Sequence, residues 1–280
     1  MRALILLCLL LLPLHVSAQR DLTRYVNPFI GTGGHGHTFP GASMPFGMVQ
    51  LSPDTRLTGW DGCSGYHYSD SLIYGFSHTH LSGTGISDYG DILLMPTVGK
   101  LSLSNRDYAS GFKHHDETAR PGFYSVKLDN NVLVELTATR RAGLHRYTYP
   151  ATDQARIILD LTHRDRVLDS YLRFTGGTTF VGWRRSQSWA KDQIVYFAGE
   201  FSQPFSAWGI SKDDHVSQSQ EARGTNLKAF VTFESGGAPI LVKVGISAVS
   251  IAGALRNLHA EIPGWDFDGI KGEADRAWNA

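Results

Sequence analysis

The sequence predicts an all-β protein, an antiparallel β-sandwich followed by helices at its C-terminal end. Short runs rich in β-branched and aromatic residues recur through the middle of the chain and are separated by turn residues. No helical pattern lies between these runs, which favours antiparallel strands over alternating strands and helices. Helix-forming composition is convincing only after residue 249.

The predicted strands share a short length and a high β propensity; they lie at 123–128, 132–138, 145–149, 156–161, 178–183, 193–198, 207–210, 227–233 and 240–247. Residues 22–100 differ because Gly and Pro interrupt them every few positions and no apolar period is sustained. This stretch predicts loops and short strands that contribute something other than core. Residues 250–261 and 267–279 predict two helices, with Pro263 and Gly264 in the turn between them.

The first residues predict a secretory signal peptide at 1–18. A short positive start precedes an apolar run, and small residues suit a cleavage site at Ala18. The run is shorter than the roughly 20 apolar residues that cross a bilayer, so we expect no membrane span after cleavage and a secreted or periplasmic protein. Loss of Cys8 would leave Cys63 as the only cysteine, which excludes an internal disulfide.

Charge and composition exclude several classes of partner. The 26 basic residues balance the 26 acidic ones, so the net charge is zero. Binding to nucleic acid needs a basic surface that neutralises phosphates, and the sequence has no basic stretch. It also has no amphipathic basic helix that would favour a membrane surface. With 42% hydrophobic residues the chain has the composition of an ordinary globular protein.

Glycines are concentrated at 31–47. The run 31–36 matches the glycine pattern of dinucleotide-binding loops, but prolines follow it and no helical pattern does, which argues against a nucleotide site. Glycine also lets backbone approach a partner closely. The segment therefore suits either a ligand loop or tight packing against another domain.

Two His-x-His pairs, His35/His37 and His78/His80, suggest a metal-binding site. On a strand, residues two apart point to one face, where two imidazoles could bind a transition metal with a nearby aspartate, Asp88 or Asp91, as third ligand. Histidines that bond loop backbone explain the same spacing. We therefore assign no metal ligand.

The segment 59–68 combines aromatic faces with short polar side chains and glycines. Sugars present apolar C–H faces and hydroxyl edges, so Trp60 beside Asp61 is the chemistry of a saccharide pocket. Half-buried sheet aromatics would explain Trp60, Tyr66 and Tyr68 equally well. The numerous aspartates define no catalytic pair, because a glycosidase needs two carboxyl groups at a set separation.

Longer motifs resemble the N-terminal domain of glycoside hydrolase family 92; they lie at 25–32, 37–42, 45–55, 75–85, 90–96, 135–139, 145–147, 242–250 and 264–268. The resemblance implies a calcium-dependent exo-α-mannosidase that cleaves α-mannosides, such as those of N-glycans, with inversion. It also implies a β-sandwich of the supersandwich type, then a helical linker and an (α/α) barrel, with the active site between the two domains.

After the predicted signal peptide at 1–18, the resemblance implies a sandwich at 19–249 and a helical linker at 250–280 that leads to a barrel absent here. In the family the catalytic acid and base, and most of the calcium environment, belong to the barrel. No catalytic residue and no metal ligand is therefore assigned in this chain, which alone is expected to bind mannosides weakly and hydrolyse nothing.

The resemblance does imply substrate contacts in the pocket-forming stretch. Trp60, Asp61 and Cys63 are the candidate sugar contacts, and His78 and His80 are candidates that support them. Two other interpretations remain open. One is a stand-alone lectin-like carbohydrate-binding module, and the other is a structural domain whose glycine-rich loops pack against a partner.

Overall fold

The computed structural model describes residues 21–152, 154–234 and 236–280. The predicted signal peptide lies outside these residues. The strands are β1 Ala42–Ser43, β2 Gln50–Asp54, β3 Leu72–Ile73, β4 Gly75–Ser77, β5 Leu93–Thr97, β6 Ser110–Arg120, β7 Phe123–Leu128, β8 Leu133–Ala138, β9 Ala142–Thr148, β10 Ala155–Asp160, β11 Arg166–Phe174, β12 Thr179–Gln187, β13 Gln193–Phe201, β14 Ala207–Lys212, β15 His215–Ser217, β16 Glu221–Gly224, β17 Leu227–Phe233 and β18 Ile240–Ser247. The helices are a 3₁₀ turn Thr23–Tyr25, α1 Asn105–Tyr108, α2 Ile251–Glu261 and α3 Phe267–Trp278.

Two antiparallel sheets form the body of the described chain. The first has the order β1-β2-β4-β5-β10-β17-β14-β15, and the second has the order β16-β11-β12-β13-β18-β9-β8-β7-β6-β3. The predicted all-β sandwich is therefore confirmed. No helix of the described part is long and apolar enough to span a membrane.

Strand pairs in the second sheet show how the core is packed. On β12 every second residue is fully buried. Phe180 stands opposite Gly199 on β13, and Phe197 stands opposite Gly182 on β12. A Cβ atom at Gly199 would lie 2.1 Å from the Phe180 ring. Each glycine therefore makes room for the ring from the facing strand, and the rings meet at a centroid distance of 6.1 Å.

The prediction that residues 22–100 lie outside the core was wrong. Leu51 on β2, Phe76 on β4 and Leu94 on β5 are fully buried. These strands are short and almost wholly buried, so they lack the polar and apolar alternation by which a half-exposed strand is recognised.

The sequence prediction also missed two long strands, β6 and β11. On β6 the pairing with β7 shifts between Phe112 and Glu117, and most side chains between these residues are partly or fully exposed. Such a polar, irregular stretch lacks the period of a strand.

The two C-terminal helices pack on the sandwich. Ser250 caps α2, since its Oγ accepts from the N–H of Gly253 at 3.0 Å. A second apolar cluster, which includes Leu144 of β9, Leu258 of α2 and Phe267 of α3, joins the helices to the sheet. Nε1 of Trp278, the last residue of α3, donates to the carbonyl of Ser43 at 2.7 Å. The end of α3 therefore lies beside β1.

Candidate functional site

Two adjoining loops, residues 60–63 and 81–88, hold the exposed candidate residues, and we call them the rim. Trp60 is 64% exposed, and its ring lies against the backbone at Gly85. A Cβ atom at Gly85 would stand only 2.1 Å from Cη2 of Trp60. Glycine therefore lets the ring rest on the loop, and this contact orients an otherwise exposed aromatic face.

Cys63 lies inside the rim. Its side chain is 2% exposed, and Sγ donates to the carbonyl of Thr84 at 2.8 Å. Burial raises the pKa of the thiol, which keeps it a neutral donor. Cys63 thus ties the two loops together, and in this conformation its side chain offers almost no surface to a ligand.

Asp61 adds a charged acceptor next to Trp60. Nδ1 of His35 lies 2.5 Å from Oδ1 of Asp61, and this hydrogen bond lowers the pKa of the carboxyl group. Nε2 of His37 lies 3.9 Å from the same oxygen, and the His37 and Trp60 rings meet edge to face with centroids 5.4 Å apart. The Asp61 side chain stays 35% exposed, so its oxygens are open to a hydroxyl group.

A buried cluster of Asp54, His80 and His163 adjoins the rim. Nε2 of His80 and of His163 lie 3.2 and 3.3 Å from Oδ1 of Asp54. Burial by itself raises the pKa of Asp54, but the two imidazoles outweigh it and hold the pKa well below its usual value. Gly65 has φ +96°, and a Cβ atom there would stand 2.4 Å from the Asp54 carboxylate. The chain leaving residues 60–63 therefore packs directly on this cluster.

His78 belongs to a separate row of buried hydrogen bonds. Its Nδ1 lies 2.7 Å from the carbonyl oxygen of Ile92, so this nitrogen carries a proton and donates. Its Nε2 lies 3.0 Å from Nε2 of His145, and Nδ1 of His145 lies 2.8 Å from the hydroxyl of Tyr147. The row is satisfied when both rings are neutral: Tyr147 donates to His145, and His145 donates to His78.

The His-x-His pairs do not converge on one metal site. His78 bonds within the row above, whereas His80 bonds Asp54. Asp91 is paired with Arg184 at 2.6 Å, and Asp88 accepts from a backbone N–H group. In the described parts of the chain, no group of three or more His, Cys, Asp or Glu side chains is placed to hold a metal ion.

The buried row predicts a loss of stability in acid. Burial lowers the pKa of His78 to about 4 and lowers the pKa of His145 well below its usual value. The unfolded chain protonates these rings below about pH 6.5, so between that pH and about 4 it binds more protons than the fold. We expect the free energy of unfolding, measured with urea, to fall by roughly 3–4 kcal/mol from pH 7 to pH 5, since each of the two rings contributes about 2 kcal/mol.

Two variants isolate this effect. A double variant, His78→Leu with His145→Phe, should be less stable at neutral pH and should show a flatter dependence on pH. His115→Gln removes a histidine whose side chain is 74% exposed and should keep the wild-type dependence. An unchanged slope in the double variant would contradict the assignment.

Several residues of the site were missed from the sequence. Trp189 is 66% exposed in the turn between β12 and β13, and this turn is attached to the rim because the N–H of Ala190 donates to Asp88 at 2.9 Å. An aromatic residue between two strand-like runs was the available signal. Arg164 and Gly85 had no local signal, because their roles depend on contacts with distant residues.

A groove lies between Leu81 and Ser82 of the rim and the start of β13. Its volume is about 610 Å³, and its lining includes Gln50, His80, Leu81 and Gln193. Trp60 and Asp61 do not line it, and they lie on the surface, with 64% of Trp60 and 35% of the Asp61 side chain exposed. Surface of this kind becomes an enclosed pocket only when something covers it.

Comparison with known proteins gives the family of this chain. Residues 25–247 match the family model described as the glycosyl hydrolase family 92 N-terminal domain. A family GH92 alpha-mannosidase from Bacteroides thetaiotaomicron, solved in complex with mannoimidazole, is similar with a TM-score of 0.89 and 38% identity, covering 93% of this chain and 37% of that chain. A family GH92 inverting mannosidase from the same organism has a TM-score of 0.83 and 28% identity, covering 92% of this chain and 35% of that chain.

A curated protein is also similar to this chain. An uncharacterized secreted glycosidase from Arthroderma benhamiae is 30% identical over 310 residues, which cover 98% of this chain and 40% of the relative. The chain thus spans 35–40% of the length of these proteins. The fold, the family model and the solved neighbours agree with one another, and the chain belongs to glycosyl hydrolase family 92, of which it carries the N-terminal domain.

Proposed function

We propose that the whole protein is a secreted, calcium-dependent exo-α-mannosidase that inverts the configuration at the cleaved bond, and that this chain forms one wall of its substrate pocket. The supporting observation is the rim, where Trp60 rests on Gly85 beside the open carboxylate of Asp61. An oriented aromatic face and a charged acceptor match the C–H face and the hydroxyl groups of a mannose unit.

The five candidate residues take different parts in this proposal. Trp60 stacks on the sugar ring, and Asp61 accepts hydrogen bonds from hydroxyl groups. Cys63 holds the two loops of the rim together, while His80 supports Asp54 beneath the chain that leaves the rim. His78 is fully buried and supports the site only through the core.

The partner in this proposal is the helical-barrel domain of the same protein. Three large apolar side chains near the N-terminal end of the described chain are exposed. They are Tyr25, Ile30 and Phe46, which are 72%, 76% and 106% exposed. A cavity of about 290 Å³ lies beside Ile30 and Trp278, at the end of α3. Exposed apolar surface of this kind marks an interaction site, and a domain connected after α3 would cover it.

The catalytic groups are proposed to lie in that second domain. An inverting glycosidase sets a carboxylic acid and a carboxylate roughly 6.5–9.5 Å apart on opposite sides of the sugar, with a water at the carboxylate. Calcium takes roughly six to eight oxygen ligands, and within the described residues no cluster of three or more His, Cys, Asp or Glu side chains is placed to hold a metal ion. They therefore do not fit the ion, which we place in the rest of the whole protein.

Secretion of the protein is part of the proposal. It rests on the predicted signal peptide at 1–18 and on the likeness to a relative called a secreted glycosidase. A signal peptide directs export to the periplasm or to the extracellular space, so the proposal covers both locations.

Enzyme assays test the proposal. The whole protein should hydrolyse aryl α-mannosides with inversion, while this chain alone should show no turnover. In the whole protein, Trp60→Ala should raise KM by about tenfold or more, since it removes the aromatic platform. Trp183→Ala is the control and should keep the wild-type KM, because the Trp183 ring lies against Tyr171 and Arg223 rather than against the rim.

Three results would contradict the proposal. Turnover by the isolated chain would place the catalytic groups here. A whole protein that binds mannose without hydrolysing mannosides would indicate a lectin. Equal KM values for Trp60→Ala and the control would remove Trp60 from the pocket.

A further inference from the structure

Arg164 combines two unfavourable features in one short connection. It lies between β10 and β11 with φ +77°, a region that a residue with a side chain rarely adopts and that costs about 1–3 kcal/mol. Its side chain is 3% exposed, so the guanidinium has lost most of its hydration. Both features persist only where the surrounding contacts offset them.

Those contacts join the two loops of the rim. Nη2 of Arg164 donates to the carbonyl of Gly62, between Asp61 and Cys63. Nε donates to Oγ of Ser87 at 2.9 Å, at the far end of residues 81–88. One planar guanidinium therefore spans the gap between the loops.

The charge of Arg164 is balanced on the inner side. Nη1 lies 3.8 Å from Oδ1 of Asp54, and Oγ of Ser87 donates onward to Asp165 at 2.7 Å. Burial lowers the pKa of Arg164, while Asp54 and Asp165 oppose that shift. The guanidinium stays charged, because its ordinary pKa lies far above neutral pH.

We propose that Arg164 is a positioning residue for the sugar-binding rim. Its guanidinium fixes the distance between residues 60–63 and 81–88, and so sets how Trp60 and Asp61 face a sugar. It acts through the backbone of Gly62 and touches no substrate. This inference rests on the proposed function for its effect on catalysis, but its effect on the loops is independent of that function.

The geometry explains why lysine would not replace it fully. An ammonium group is a single point charge, whereas the two bonds to Gly62 and Ser87 leave from different nitrogens of one rigid plane. Lysine could keep the balance of charge with Asp54 and make one of the two bonds. Methionine would keep neither.

Amide hydrogen exchange on this chain tests the positioning role directly. In Arg164→Met we expect exchange at residues 60–65 and 81–88 to quicken by about tenfold or more, with β7 to β9 unchanged. Arg164→Lys should give an intermediate effect. Arg146→Met removes an arginine that pairs with Glu135 and Asp268, and the rim should then exchange as in the wild type. Unchanged exchange at the rim in Arg164→Met would overturn the inference.

Kinetics of the whole protein test the consequence. Arg164→Met should raise KM for an aryl α-mannoside by about tenfold or more, and Arg164→Lys by less. Should Arg164→Met fail to fold, Ser87→Ala removes the bonds of Ser87 to Arg164 and Asp165 but leaves the bond from Arg164 to Gly62, and it should loosen residues 81–88 more than 60–65. A KM equal to that of Arg146→Met would overturn the inference. A wild type without mannosidase activity would refute the proposed function instead and leave the exchange result standing.

Discussion

Replacing Arg184 by methionine is expected to lower the free energy of unfolding by about 3–5 kcal/mol. Arg184 is fully buried on β12, and its Nη1 lies 2.6 Å from Oδ1 of Asp91, which is also fully buried. The same guanidinium donates to the carbonyls of Leu161, His163 and Asp165. Methionine fills a similar volume but leaves the Asp91 carboxylate and three carbonyl groups without this donor.

The neighbouring residue supplies a matched control for urea unfolding. Arg185 also pairs with an aspartate, Asp192, at 2.5 Å, but both side chains are about half exposed. Arg185→Met should therefore cost much less than Arg184→Met, because solvent screens an exposed ion pair. The double variant Arg184→Met with Asp91→Asn should recover part of the loss, since no buried charge remains unpaired. Equal costs for the two single arginine variants would show that the buried pair is not a principal support of the fold.

A single methyl group at Gly85 is expected to reduce kcat/KM of the whole protein for α-mannosides by about 100-fold. The Cβ atom of Gly85→Ala would stand 2.1 Å from Cη2 of Trp60, closer than two carbon atoms can approach. The indole ring must then leave its place on the loop. Because Trp60 is exposed, its displacement should change stability little while it disturbs sugar binding.

Gly33→Ala is the control for this steric effect. A Cβ atom at Gly33 meets its nearest neighbour, Cβ of Tyr68, at 3.7 Å, an ordinary contact. Its kcat/KM should stay near the wild-type value. If Gly85→Ala binds and cleaves mannosides as well as Gly33→Ala does, then the packing of Trp60 on Gly85 has no part in the reaction.

Local sequence determined most of the strands of the middle and C-terminal parts. The run 123–128 coincides with β7, and the run 227–233 coincides with β17. These strands alternate between buried and more exposed residues or are rich in β-branched and aromatic residues, and both signals are properties of neighbouring positions. The caps of α2 and α3 are equally local, since Ser250 and Asp266 bond an N–H three residues ahead.

Long motifs in the sequence also gave the family, and with it the expectation that Trp60 and Asp61 face a sugar. Sequence spacing did not reveal which histidines would meet. His78 and His80 stand two residues apart and yet bond different partners, His145 and Asp54. The spacing rule assumes a regular strand, whereas β4 ends at Ser77.

Strand propensity, turn residues and family motifs are read along the chain, and they are enough to predict a β-sandwich of family 92 with helices after it. The packing of Trp60 on Gly85 and the bonds of Arg164 to Gly62 and Ser87 become visible only in the folded chain. Those contacts span 25 to 102 positions of sequence. Their energies depend on burial and on distances between loops, which no local pattern encodes.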